Sequence, residues 1–303
     1  MKNHKVIVDL SSVLHVGLHG VFRGEMEKCP ESGKLFIPEN KLRQALIGSI
    51  MYYKNIKGRP SQTIIAIDRG PYWRKNIFPH YKGLRSAARV ESDIDWTKVY
   101  SSVDVIISEI DTYLPWTLIQ IPSLEADDII GCLAPKLANE DEVLIISSDK
   151  DLVQLQKYKN VSQYSPQTKV LVKPTTDPVT DLYIKVLKGD GGDGIANIFS
   201  DDDFYIRKNA GEKLRQPQVT SKLITEAKKA NWDPYVFLKN DKDIAKFERN
   251  KLLVDFEQIP RNLKDQCWQN YVDQISKKHN AMRLQSYLVK NRLKHIHDSL
   301  NEI

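Results

Sequence analysis

The chain has 303 residues, 41% of them hydrophobic and 28% charged, with a formal net charge of +6; that suffices for one large globular domain or two unequal ones. No apolar run approaches the roughly 20 residues that span a bilayer, and Asp9 breaks the apolar start that a cleaved signal would need. Cys29, Cys132 and Cys267 lie far apart, without disulfide or zinc spacing, so a reducing, cytoplasmic setting, no membrane and a monomer are expected.

In chain order, a short β-branched run at 6–8 ends in Asp9. Leu42, Ala45, Leu46 and Ile50 then repeat at helical spacing, and a second apolar run at 63–67 ends in Asp68. The stretch "YWRKNIFPHYKGLRSAARVESDIDW" (72–96) is too long for an ordinary connection; such loops are usually functional or disordered. A helix carrying Val99, Val103, Ile106, Ile107 and Ile110 leads to a third run at 117–121. "SLEADD" follows, with Ser123 as the expected N-cap of a helix whose apolar face holds Ala126, Ile129, Ile130, Leu133, Ala134 and Leu137. On a helical wheel Glu125 and Asp127 flank that face and Asp128 points away from it. The fourth run, 143–146, enters "SSDKDLVQL", and "VSQYSPQTKVLV" (161–172) reads as an edge hairpin.

Unbroken apolar strands alternating with helices predict an α/β fold with a doubly wound, mostly parallel sheet. After Pro174 strand signals fade, and basic helical segments are expected near 179–188, 219–231, 241–255, 262–279 and 281–300. The chain thus divides into an α/β core at 1–174, with an arch at 70–97, and a helical region at 175–303. Two stretches, 69–90 and 274–297, each hold six Lys or Arg and no acid, which favours a polyanionic partner.

The acids follow the strands. In an open parallel sheet the strands' carboxyl ends share one edge, so Asp9, Asp68, the "LEADD" acids, Asp149 and Asp151 should meet there. Any one of them could be no more than a helix cap. Together, with few Lys or Arg at the strand exits, they call for a counter-charge, and all-oxygen ligation suits magnesium or manganese. Two such ions would serve phosphoryl chemistry. No P-loop, dinucleotide fingerprint or nucleophile elbow is present. "DGGDGIANIFSDDD" lacks the alternating ligands and terminal Glu of an EF-hand.

"SLEADDIIGCLA", "SSDKDLVQL" and "KGDGGD", at this spacing, resemble the flap endonuclease and 5′-nuclease family, and within it the T-even phage type. The resemblance extends over nearly the whole chain, including "GPYWRKNIFPHYKG", "ERNKLLVDFEQIP" and "SLNEI". It implies a PIN-like 5′-nuclease core with a helical arch and a helical duplex-binding region. The implied activity is cleavage of phosphodiesters near 5′ ends with two Mg2+, or Mn2+ in their place. RNA primers and adjacent DNA would be removed from RNA/DNA and DNA/DNA duplexes with 5′ ends or flaps in phage replication. Asp9, Asp68, Glu125, Asp127 and Asp149 match the family's first metal cluster; Asp151, Asp190 and Asp193 match the second; Asp128 matches a supporting acid. Lys82 and Arg85 match basic residues near the scissile phosphate. Arg74, Lys75, Tyr81 and Arg89 of the arch are expected to contact nucleic acid; Trp73 and Tyr81 would either stack bases or pack the arch base.

Two departures bear on partners. Gly194 replaces an Asn and no Gly-Ile-Gly follows, which argues against a potassium site and shifts duplex grip to Arg207, Lys208, Lys213 and Arg215. Few residues precede the first strand, which argues against sliding-clamp docking, whereas the family's C-terminal region implies a single-stranded DNA-binding protein as partner. The alternatives are a PIN-type ribonuclease, which would lack the arch and the helical region, and a non-catalytic DNA-binding module, which would have lost carboxylates.

Overall fold

The computed structural model describes residues 3–277 and 280–293, apart from the side chains of 86–88. The chain runs β1 (His4–Asp9), α1 (Leu10–His19), the two-residue strands β2 (Glu27–Lys28) and β3 (Leu35–Phe36), α2 (Glu39–Lys54) and β4 (Gln62–Ile67). The arch follows, with α3 (Arg74–Ile77) and α4 (Arg85–Glu91). Next come α5 (Trp96–Tyr113), β5 (Thr117–Gln120), α6 (Ala126–Leu137), β6 (Glu142–Ile146), a 3-10 helix (Lys150–Lys157), β7 (Val161–Ser165) and β8 (Val170–Val172). The helical region comprises α7 (Pro178–Lys188), α8 (Phe204–Asn209), α9 (Ser221–Lys229), α10 (Pro234–Phe237), α11 (Asp241–Val254), α12 (Arg261–Ile275) and α13 (Ala281–Lys290). The expected helix over 281–300 is thus described only to Lys290, and Lys278, Lys294 and "SLNEI" lie outside the described residues.

The main sheet has the order β5-β4-β1-β6-β7-β8. All its pairings are parallel except β7 with β8, the edge hairpin. The chain leaves β1 toward β4 and β5, then crosses back to β6 on the other side of β1. That reversal places a crevice beyond the carboxyl ends of β1 and β6.

Alternation along the strands fills two cores. Val6, Val8, Ile65, Ile67, Leu144 and Ile146 face α1, α2, α5 and α13. Ile7, Ile64, Ala66, Val143 and Ile145 face α6 and α12. Burial on both faces explains why the strand sequences do not alternate apolar with polar.

A third core belongs to the helical region, with Leu182, Val186, Leu187, Phe247 and Leu253. Phe78 and Tyr81 from the arch insert into it. Between Tyr81 and Ile94 no described side chain belongs to any of the three clusters. The arch therefore has a packed root, and beyond it a limb that adds nothing to the hydrophobic cores.

The turn after α7 is tightly specified. Gly189 has φ +72° and ψ −171°, a region essentially reserved for glycine, and a Cβ there would lie 2.3 Å from the Ile195 carbonyl oxygen. Asp190 and Ile195 exchange backbone hydrogen bonds at 2.8 Å, closing a short loop that carries Asp190 and Asp193. Gly189→Ala should therefore destabilise the fold by at least about 1–3 kcal/mol, measured by denaturant unfolding.

Candidate active site

Backbone caps and carboxylate convergence turn out to be one arrangement. Asp9 ends β1 and caps α1, accepting from the Ser12 amide at 3.0 Å and the Ser147 hydroxyl at 2.7 Å. Asp68 follows β4 and accepts from the Ala126 amide at 2.9 Å and from the Ser11 hydroxyl. Asp149 follows β6 and caps the 3-10 helix through the Asp151 amide at 2.9 Å. Capping fixes each side chain's direction, and the sheet brings those directions together. Asp9, Asp68, Glu125, Asp127 and Asp149 line one cavity of about 650 Å³, together with Lys82, Arg85 and Arg89.

Beneath this cavity lies a buried ion network. Arg74, only 1% exposed, donates to Glu125 at 3.1 Å and to Asp128 at 2.8 Å, and its Nε donates to the Leu253 carbonyl at 2.7 Å. The Trp73 indole donates to Asp128 at 3.1 Å, and the Tyr81 hydroxyl to Glu125 at 2.7 Å. These contacts correct several expectations. Arg74 and Tyr81 cannot reach nucleic acid, because their polar groups are consumed by buried carboxylates; Tyr81 is 1% exposed and Trp73 6%. Both rings pack the arch base and are not open stacking surfaces. Asp128 does not point away from the helix's apolar face: it is fully buried, and it accepts from the Glu125 amide at 3.1 Å. Its carboxylate lies close to those of Glu125 and Asp127, but Arg74 holds it below the cavity. Ser123 does not cap α6; it sits at φ +70° and Glu125 takes the N-cap position.

Basic groups are also closer to the strand exits than expected. Lys82, at φ +54°, donates its amide to the Asp193 carbonyl at 2.8 Å, while its ammonium contacts Glu125 and lies 3.8 Å from Asp193. Burial disfavours that ammonium, but Glu125 and Asp193 outweigh it and raise its pKa. Arg85 pairs with Asp193 at 2.7 Å.

Carboxylate oxygens of Asp151, Asp190 and Asp193 come within 4.8 Å of one another, forming a second acidic group beside the first. Lys185 of α7, which no spacing rule singles out, contacts both Asp151 and Asp190. Ser11 and Ser147, whose hydroxyls orient Asp68 and Asp9, and His15, Tyr72 and Asp104 of the cavity wall were likewise not legible as site residues: hydroxyls that orient acids leave no motif, and nothing local marks the other three. Of the remaining expected contacts, Arg89 lines the cavity wall and the others lie apart from the carboxylates. Lys75 is exposed on α3, and Arg89 is exposed with its guanidinium 5.4 Å from the Tyr100 ring centre. Arg207 is held by Glu212 at 2.7 Å; Lys208, Lys213 and Arg215 are exposed around the irregular segment 210–220.

The donor set fits hard divalent cations. Every candidate ligand is a carboxylate, the chemistry of magnesium or manganese sites. Among the described residues, Asp9, Asp68, Asp127 and Asp149 form no ion pair with Lys or Arg. Burial, reinforced by the charge of Asp68, pushes Asp9 up to about 7, a penalty that a bound cation would relieve. The network under the cavity is testable by itself. Arg74→Ala strands Asp128 and Glu125 without their shared cation and should cost about 3–5 kcal/mol in a denaturant melt.

Known proteins place this geometry. Residues 7–182 match the family model described as 5′-3′ exonuclease, N-terminal resolvase-like domain, and residues 176–303 match T4 RNase H, C terminal. The chain is 32% identical over 269 residues to Ribonuclease H of Enterobacteria phage T4, covering 86% of each chain. It is 33% identical over 165 residues to a 5′-3′ exonuclease of Buchnera aphidicola, covering 51% of this chain and 55% of that one. Among solved structures, the bacteriophage T5 D15 protein crystallised with metal ions superposes with a TM-score of 0.61 at 16% identity, covering 91% of this chain and all of that one. The T5 D15 flap endonuclease in a pseudo-enzyme–product complex with DNA and metal ions gives 0.60 at 17%; at such identities these likenesses speak for the fold. Model matches to both halves and similarity to the T4 protein over 86% of each chain establish that the chain belongs to the 5′-3′ exonuclease family.

Proposed function

We propose that the chain is a magnesium-dependent 5′-to-3′ exonuclease and flap endonuclease that removes RNA primers and adjacent DNA from lagging-strand fragments in phage replication. The observation that carries this reading is the convergence of Asp9, Asp68, Glu125, Asp127 and Asp149, from separate chain segments, in one cavity beneath a basic arch. Asp9, Asp68, Glu125, Asp127 and Asp149 would hold one Mg2+, and Asp151, Asp190 and Asp193 a second. Two such ions, when bound, supply an activated water and neutralise the departing 3′ oxygen.

The chain's own residues do the rest. Serine hydroxyls and backbone amides fix the carboxylate directions before substrate arrives. Lys82 and Arg85, at the cavity wall, present positive charge to a phosphate approaching the acids, where a preorganised donor is worth most. Arg89 and Lys75 extend that basic surface along the arch, and Lys208, Lys213 and Arg215 offer a separate phosphate-tracking surface on the helical region. Substrates are then duplexes with a free 5′ end or flap, RNA/DNA or DNA/DNA.

A labelled 5′-flapped duplex, incubated with magnesium and with a chelator in parallel, tests the reading: short 5′ products only with magnesium are expected, and unchanged cutting in chelator refutes it. Asp127→Asn and Asp149→Asn should each lower cleavage by at least about 10²-fold, with flap-DNA affinity retained in a gel-shift titration. Lys82→Ala should reduce single-turnover cleavage by about 10–10³-fold while changing duplex affinity by about threefold or less; equal losses in both would remove Lys82 from the phosphate.

A further inference from the structure

The two acidic groups differ in what already neutralises them. In the first group only Glu125 pairs with basic residues, Arg74 and Lys82, and Asp9, Asp68, Asp127 and Asp149 pair with no Lys or Arg among the described residues. In the second, Arg85 of the arch pairs with Asp193, and Lys185 lies between Asp151 and Asp190. Lys185 projects from the last turn of α7, with its ammonium in contact with Asp151 and 2.5 Å from an Asp190 oxygen. Its side chain is 25% exposed, and those of Asp151 and Asp190 are 13% and 24% exposed. The ammonium therefore lies inside the cluster and not out in solvent, and Gly189 and the closed loop at 190–195 hold Asp190 against it.

We propose that Lys185 is the resident cation of the second carboxylate group: it occupies the place a divalent ion would take, must swing out before that ion binds, and so makes this site the weaker of the two. The inference rests on the reading of both groups as divalent-ion sites. An ammonium is a point charge on a flexible four-carbon stem. It can stabilise Asp151 and Asp190 in the free protein and be displaced by an ion of twice its charge. Even displaced, it remains tethered nearby, opposing the ion by competition and by like-charge repulsion. In the first group Lys82 and Arg74 reach only Glu125, and Asp9, Asp68, Asp127 and Asp149 have no such occupant among the described residues, so the two sites should fill in order.

The test is Mn2+ binding to the full chain at fixed pH and ionic strength, followed by calorimetric titration and by the electron paramagnetic resonance signal of free Mn2+. Wild-type protein should show a tighter and a weaker step. Lys185→Met should tighten the weaker step by about tenfold or more, the equivalent of one charge-assisted pair, with the tighter step within about twofold of wild type. Lys185→Arg, which keeps the charge, should leave the second step weak. Thermal melts without metal establish that each variant is folded, with Lys185→Gln serving if the Met variant is not. A second step unchanged or weakened in both neutral variants overturns the role of Lys185 while leaving the metal reading intact. Wild-type protein that binds no Mn2+ at all overturns the reading beneath it.

Discussion

Mutual repulsion among carboxylates at the carboxyl edge of the sheet is the constraint around which this structure is organised. Two such charges about 5 Å apart repel by roughly 3 kcal/mol at an effective dielectric of 20, and here two acidic groups sit side by side. The fold meets part of that cost in two ways. Hydrogen bonds from Ser12, Ser147, Ala126 and Asp151 stabilise individual carboxylates. Arg74, Lys82 and Lys185 neutralise some of them from within. What is left over, concentrated on Asp9, Asp68, Asp127 and Asp149, is the residual demand for cations from outside. A site that satisfied itself completely would have no use for a metal.

The helical region is part of this balance and not an appendage. Gln154, on the 3-10 helix that begins beside Asp149, accepts from the Phe256 amide at 3.1 Å and donates to the Val254 carbonyl at 3.1 Å. Asn250 of α11 donates to the carbonyls of Val186 and Ala196, both at 3.0 Å. These buried amides knit α11 to α7 and to the loop bearing Asp190 and Asp193, so the second acidic group is held between the two halves of the chain. Arg74, by reaching Leu253, ties the arch root to the same helix.

Much of the sheet was legible because β1, β4 and β6 are apolar on both faces and each leads into an acid, Asp9, Asp68 and Asp149. The meeting of Asp9, Asp68 and Asp149 at one edge follows from the parallel pattern, which brings the strands' carboxyl ends together; the strand order itself is seen only in the structure. Side-chain partners were not legible in the same way. Arg74 and Tyr81 look like arch surface in sequence, since a basic residue and a phenol in a polar loop are normally solvated. Only the three-dimensional proximity of Glu125 and Asp128 explains their burial. A helical wheel misplaced Asp128 because it assumes that buried means apolar, and a paired carboxylate violates that. Lys185 is invisible for the converse reason: a lysine late in a helix is ordinarily a favourable end charge, and nothing local shows that Asp151 lies across from it.

The divided character of the arch has a consequence for how this chain can change. Phe78 and Tyr81 are anchored in hydrophobic packing, where altering a methylene is felt throughout a close-packed interior. From Lys82 to Asp93 the described side chains contribute to none of that packing. Polar contacts hold its two ends, Lys82 and Arg85 against Glu125 and Asp193, and Asp93 against Arg23, but hydrophobic packing places little demand on the residues between, whose composition is the freer to change.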